Sequence, residues 1–196
     1  MHQSKTLERN SNSNNVLQSI LVTLAERSPE TERHGVRLAT ITEKIGKHIS
    51  LGEQALNDLR LFSVLHDIGK IAIDSQILNK PGPLTDDEWK IMKTHSEVGY
   101  RIAMSSPDFR KVAPYILSHH ERWDGNGYPQ GIRGETIPLP SRILAIADSY
   151  DAMTEQRSYR KPLSHNAAME EIRKCAGTQF DPALVDAFLE CANDLP

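Results

Sequence analysis

From Val16 onward the apolar residues return every three or four positions, as at Val16, Ile20, Leu21 and Leu24 and again at Val36, Ala39, Ile41 and Ile45, while strand-like alternation is nearly absent. A chain patterned this way buries its apolar stripes by packing helix on helix, so the fold class is all-α. Start signals agree with the pattern. Ser28-Pro29 places a proline in a first turn, Thr85-Asp86-Asp87-Glu88 reads as a capping box, and Asp181-Pro182 opens a final helix. The spacing predicts helices over about 16–27, 29–48, 53–69, 85–103, 108–121, 140–155, 164–175 and 182–192. At 196 residues the chain has the length of one domain, expected over 16–196, with the polar, aperiodic residues 1–15 as a flexible N-terminal tether.

A formal net charge of −3 argues against a general nucleic-acid coat, which carries a basic face, so a phosphorylated ligand must be held locally. Cys175 and Cys191 show no metal-site spacing and read as reduced residues packed in helices. No apolar run reaches the ~20 residues needed to cross a bilayer, and the start lacks a signal-peptide core. The expected location is the cytoplasm.

The longest irregular stretch, 122–139, holds Gly125, Gly127, Pro129, Gly131, Gly134 and Pro138, residues that set turns and let backbone approach a ligand closely. It follows directly on His119-His120-Glu121. Long loops of this kind are usually functional or disordered, and the histidine pair favours function. Of eight histidines, five (His34, His66, His95, His119 and His120) lie on predicted helices or at their ends, while His2, His48 and His165 fall outside the group. A lone helical histidine is more often a packed or surface residue than a ligand, but adjacency changes the odds.

His66 and Asp67 are neighbours about 100° apart on a predicted helix, so the imidazole can hold one cation while the carboxylate bridges two. The bland alternative is a helix end capped at Gly69. Lys70 adds an amine one turn further on. Glu30, His34 and Arg37 share one helical stripe, which read blandly is a surface ion pair. Asp148 lies in the apolar run Ala145–Met153, where a buried carboxylate needs a partner or a metal; Asp151 is either its polar neighbour or solvent-facing. Nitrogen and oxygen donors without thiolate suit iron, manganese or a similar ion in an open hydrolytic site rather than structural zinc. Five imidazoles and two or three carboxylates exceed what one octahedral ion uses while leaving room for water and substrate.

These residues resemble those of the HD-GYP domain, a branch of the HD phosphohydrolase superfamily associated with bacterial cyclic di-GMP signalling. The resemblance covers about residues 16–192 and rests on His66-Asp67-Ile68-Gly69-Lys70, the run from His119 to Pro129, Ile137-Pro138, Arg142-Ile143, Ala147-Asp148, Asp151-Ala152-Met153-Thr154, Arg157-Ser158-Tyr159-Arg160 and the tail Gly177–Pro182. It implies a compact all-α HD-superfamily domain of about seven to eight helices with a metal centre in the helical core. The ligands it implies are His34, His66, Asp67, His95, His119, His120 and Asp148, with Glu30 matching the extra carboxylate of members that bind three ions. The implied cofactors are two or three divalent metal ions, Fe or Mn. His66, Asp67 and Lys70 are the implied catalytic residues. The implied substrate-binding residues are Lys70, Gly127, Tyr128, Asp151, Arg157 and Arg160: Lys70, Tyr128 and Arg157 fall where the family contacts the phosphates or guanine of its ligand, Gly127 lies in the same loop as Tyr128, Asp151 falls on a polar position beside the site, and Arg160 stands where some members carry a lysine.

The implied activity is metal-dependent hydrolysis of cyclic di-GMP to pGpG and then GMP. Two alternatives compete with it, namely hydrolysis of another cyclic dinucleotide such as cyclic GMP-AMP, and a non-catalytic module that binds cyclic di-GMP. Neither a long nucleic acid nor a membrane is expected as a partner; a regulatory input domain or a GGDEF-type partner is, in the full-length context.

Overall fold

In the computed structural model the described residues are 22, 30–155 and 161–192, with backbone alone at 30–32. The expected tether, the expected helix over 16–27 apart from Val22, the Ser28-Pro29 start, the Glu30 side chain, Arg157 and Arg160 lie outside them. Helices α1 (Glu30–His48) and α2 (Glu53–Leu65) pack along one another, and α1 also meets α7 (Leu139–Thr154) and α9 (Pro182–Cys191). A second group joins α5 (His95–Ser105) to α6 (Ala113–Leu117) and to a 3₁₀ segment, Ile68–Ala72. Helices α3 (Ser75–Leu78), α4 (Asp86–Lys93) and α8 (His165–Lys174) complete the order. Among the described residues the only β pairing is an isolated bridge between Ala176 and Phe180.

The core follows from the helical stripes. Leu38, Ile45, Leu59, Phe62, Leu65, Ile116, Ile143, Ile146 and Phe188 are fully buried, each contributing roughly 1.5–3 kcal/mol by leaving water. His34 lies one turn before Leu38, Ile41 and Ile45, so the stripe that anchors α1 also carries the imidazole inward. Asp151 likewise continues the buried row Leu144 and Ala147 on α7. Thr85 forms the expected capping box, its hydroxyl accepting from the Glu88 N–H at 3.3 Å while its own N–H donates to the Glu88 carboxylate at 2.7 Å. Asp181 caps α9 by accepting from the Ala183 N–H at 3.0 Å.

Three predicted helices stop or break where their apolar pattern continues. The segment 53–69 ends as an α-helix at Leu65, 85–103 divides at Thr94 into α4 and α5, and 108–121 reduces to a 3₁₀ turn followed by a helix ending at Leu117. The apolar periodicity runs through each break, so it carries no sign of the interruption. The bland reading of Gly69 as a helix cap also fails, because the helix has already stopped four residues earlier. Gly69 packs instead against the first turn of α5, where an added Cβ would lie 1.8 Å from the His95 carbonyl oxygen. No helix among the described residues is long and apolar enough to cross a membrane.

Candidate metal centre

Each of the three breaks is followed by a histidine. His66 follows α2, His95 follows α4 and His119 follows α6, and each donates Nδ1–H to a carbonyl three residues back: Ser63 at 2.8 Å, Met92 at 2.7 Å and Ile116 at 2.6 Å. Those carbonyls belong to last helical turns, whose oxygens have no partner within the helix. One hydrogen bond thus satisfies the helix end and fixes the tautomer, leaving the Nε2 lone pair to face inward. His34 reaches the same cluster from α1, its Nδ1 bonded to the Asp151 carboxylate at 2.7 Å.

All four Nε2 atoms turn toward carboxylates. His66 Nε2 is 3.2 Å from Asp67 Oδ2, His95 and His119 Nε2 are 3.5 and 3.9 Å from Asp67 Oδ1, and His34 Nε2 is 3.2 Å from Asp148 Oδ1. Two groups of atoms close enough to share a cation result: Asp67 with His95, His119 and His120, and Asp67 with His34 and His66. Asp67 belongs to both. Asp148 joins the second group through His34 and sits at its rim, its side chain 31% exposed rather than fully buried.

The residues fit metal ions on their own terms. His95 and His119 Nε2 lie 3.1 Å apart, and because both rings spend their N–H on carbonyls, two lone pairs face each other there. Asp67 Oδ1, beside them, is buried and has no hydrogen-bond partner. A buried acceptor left unpaired costs roughly 1–3 kcal/mol, more when charged. A cation among these atoms removes both penalties, and the N/O donor set suits a divalent metal ion.

Electrostatics divide the histidines. Burial, joined by the neighbouring His95, pushes His120 down to about 3, and burial with His120 and His95 nearby holds His119 well below its usual range; burial lowers His95 as well. These imidazoles are neutral and ready to ligate near pH 7. His34 is the opposite. Burial opposes its charge, but the hydrogen bonds and charges of Asp148 and Asp151 outweigh burial and raise it to about 9. Asp67 resists the upward effect of burial because His66 and Lys70 hold it well below the carboxylate range.

Because its folded pKa is raised, the imidazolium of His34 stabilises the ion-free domain below pH 6.5, and that contribution is lost as pH rises through about 9. A cation at Nε2 must displace that proton. We therefore expect Mn(II) affinity, measured by equilibrium titration between pH 6.5 and 8.5, to rise with pH, and to rise less steeply in His34→Gln. An identical slope in the variant would remove His34 from the ion-binding set.

Asp151 is buried and lies behind His34, gripped by Arg37 through Nε and through Nη2 at 2.9 Å. Of the two readings open for it, it is the polar partner, of His34 rather than of Asp148. Lys70 donates to Asp67 Oδ2 at 2.6 Å. The ring of Tyr128 lies 4.8 Å from that of His120, tilted by 30°, and its N–H donates to the His120 carbonyl at 3.2 Å. Gly127 makes this approach possible. An added Cβ would fall 2.4 Å from the Arg122 nitrogen and 2.6 Å from the His120 oxygen. His48 pairs with Glu190 and His165 with Tyr150, both away from the cluster as expected.

The loop 122–139 is pinned at both ends. Trp123 and Asp124 donate backbone N–H groups to the Gln179 and Thr178 carbonyls at 3.2 and 2.9 Å. Arg142 binds the Ile137 carbonyl and Asp181 while covering the Trp123 ring. A further clamp carried no recognised signal in the sequence: Glu121, 4% exposed, accepts from the Gln130 and Gly131 N–H groups at 2.7 and 3.1 Å. The available signal was a carboxylate placed between a histidine pair and a glycine-rich loop full of N–H donors.

A family model described as HD domain matches residues 18–184. The chain is 40% identical over 179 residues to a cyclic di-GMP phosphodiesterase of Thermotoga maritima, covering 90% of this chain and 49% of that one. It is 42% identical over 166 residues to the 3'3'-cGAMP-specific phosphodiesterase 2 of Vibrio cholerae, covering 84% and 32%. Among solved structures, a cyclic GMP-AMP specific phosphodiesterase of V. cholerae superposes with a TM-score of 0.68 at 25% identity, over 91% of this chain and 49% of that one. The chain thus spans about half or less of the length of these relatives.

Proposed function

We propose a function on one premise: the chain belongs to the HD domain family, in its HD-GYP branch. It is a metal-dependent phosphodiesterase that hydrolyses cyclic di-GMP to pGpG and then GMP, acting in the cytoplasm in second-messenger signalling. The observation that carries this reading is Asp67, a buried carboxylate shared by two ligand groups and left with an unpaired oxygen. Two donor groups that share one acid would suit a pair of ions serving in-line displacement at a phosphodiester. His34, His66, Asp67 and Asp148 would hold one ion and Asp67, His95, His119 and His120 the other, with Glu30 available to a third; iron or manganese is the expected metal. When bound, such ions act as Lewis acids toward phosphoryl oxygens and lower the pKa of water.

The chain's own groups do the rest. Lys70, held against Asp67, presents an ammonium to a phosphate oxygen at the edge of the cluster. Tyr128, with its ring beside His120 and Gly127 allowing the close turn, offers a face or a hydroxyl to the nucleotide. Arg157 and Arg160 are proposed to meet the remaining phosphate or guanine groups. Asp151 supports the site through His34. A regulatory input domain or a GGDEF-type partner is the proposed company in the full-length protein.

Chromatography of products after incubation with cyclic di-GMP and Mn(II) or Fe(II) tests the reading, and a metal-loaded protein that releases neither pGpG nor GMP would overturn it. The relatives named for cyclic GMP-AMP motivate a second reading with that substrate, which the same assay run with both dinucleotides at equal metal loading separates. For Lys70→Ala we expect turnover to fall about 10²–10³-fold, the scale of losing one group that stabilises transition-state charge, with metal content kept. An unchanged rate would remove Lys70 from the phosphate site.

A further inference from the structure

Helix α4 ends at Lys93, two residues before His95, so its last turn borders the candidate centre. The lysines of this segment behave differently from one another. Lys80 pairs with Glu88 and Lys90 with Asp87, at 2.6 and 2.8 Å. Lys93 forms no ion pair among the described residues; its ammonium stands over two rings, 5.3 Å from the centroid of Tyr128 and 5.9 Å from that of Trp89. A tryptophan and a lysine four apart share a helix face and meet there routinely. The second ring sets this pair apart, because Tyr128 is also the neighbour of His120. His120, Tyr128, Lys93 and Trp89 therefore form a continuous row leading outward from the cluster. At its far end Trp89 leaves 45% of its surface in water.

A cyclic dinucleotide carries two phosphates and two purines, and only one diester can occupy the Asp67 cluster at a time. The other half must lie against neighbouring surface. Resting on the function proposed above, we propose that Trp89 and Lys93 form an accessory subsite for that second nucleotide, the indole face stacking on its purine and the ammonium meeting its phosphate. Stacking of this kind accepts any purine, since every base offers a π face. The subsite accordingly selects for a dinucleotide without choosing guanine over adenine.

The test compares kcat/KM for cyclic di-GMP with kcat/KM for methyl p-nitrophenyl phosphate, a diester with no second nucleotide, in the same manganese-loaded protein. Trp89→Ala should lower the ratio about tenfold, within the range measured for losing one base stack, through KM for the dinucleotide rather than kcat. Trp89→Phe should recover most of it, and Lys93→Ala should lower the ratio and weaken its dependence on salt. A ratio unchanged in Trp89→Ala, or a loss shared equally by both substrates, overturns the subsite. Should the wild-type protein cleave the small diester but no cyclic dinucleotide, the function itself is wrong and the subsite falls with it.

Discussion

Asp67→Ala should reduce metal-dependent phosphodiester turnover at least about 10⁴-fold, the scale on which a catalytic group acting as a unit loses one member. The size follows from position. Asp67 is the one residue common to both ligand groups, so the change removes an anionic donor from each. It also deprives Lys70 of the carboxylate that places its ammonium 2.6 Å away. Elemental analysis should show bound divalent metal falling in parallel, while far-UV circular dichroism stays helical, because the apolar core, drawn from α1, α2 and α5 to α9, does not include this side chain. Asp67→Asn should fail nearly as badly despite its matching volume. Its amide lacks the charge and turns either an NH₂ or a single neutral oxygen toward His95 and His119. Substantial turnover in either variant would defeat the shared-ligand scheme.

The residues of the cluster were far more legible in the sequence than what aims them. His34, His66, Asp67, His95, His119 and His120 do converge, and the stripe from His34 to Ile45 was readable as periodicity. The carbonyls of Ser63, Met92 and Ile116 were not readable, because a backbone oxygen has no residue type. The helix ends that expose them were hidden too. Leu65, Met92 and Ile116 sit in apolar patterns that continue into the next residues, so period counting carried all three helices past their ends. The overruns and the clustered histidines coincide for a physical reason. A helix that stops leaves carbonyls unpaired, and an imidazole just beyond can bind one while turning its other nitrogen inward. A continuous helix would point those side chains along regular 100° steps and could not gather three of them on one acid.

Asp151 illustrates a different limit. Its place on an apolar helix marked it as polar and costly to bury, yet its partners, His34 and Arg37, lie more than a hundred residues away in the chain. Nothing local distinguishes an acid that ligates from one that steadies a ligand. Asp148, three residues earlier on the same helix, is the more exposed of the two, so burial alone does not tell their roles apart.

The same geometry makes Gly69→Ala the most damaging single-methyl change we expect outside the ligands. The methyl would sit 1.8 Å from the His95 carbonyl oxygen, 2.6 Å from the Gly99 nitrogen and 2.8 Å from the His95 carbonyl carbon. All three are backbone atoms, which no rotamer change can clear. Relief requires pulling the 68–72 turn away from the start of α5, and those two segments carry Asp67 with Lys70 on one side and His95 on the other. The ion-free domain should lose more than about 4 kcal/mol, in the class reserved for changes the structure cannot absorb. Gly99→Ala, on the facing helix, is the control. Its methyl would meet the Ile116 Cγ2 methyl at 2.8 Å and the Gly69 nitrogen at 3.3 Å, so its one severe contact is with a side chain rather than backbone and about 1–3 kcal/mol is expected. Urea unfolding of both variants without metal measures the difference, and Mn(II) titration at low denaturant should show weaker binding for Gly69→Ala than for Gly99→Ala. A Gly69→Ala protein within about 1 kcal/mol of the parent would mean that the contact between the turn and α5 is not what holds Asp67 and His95 together.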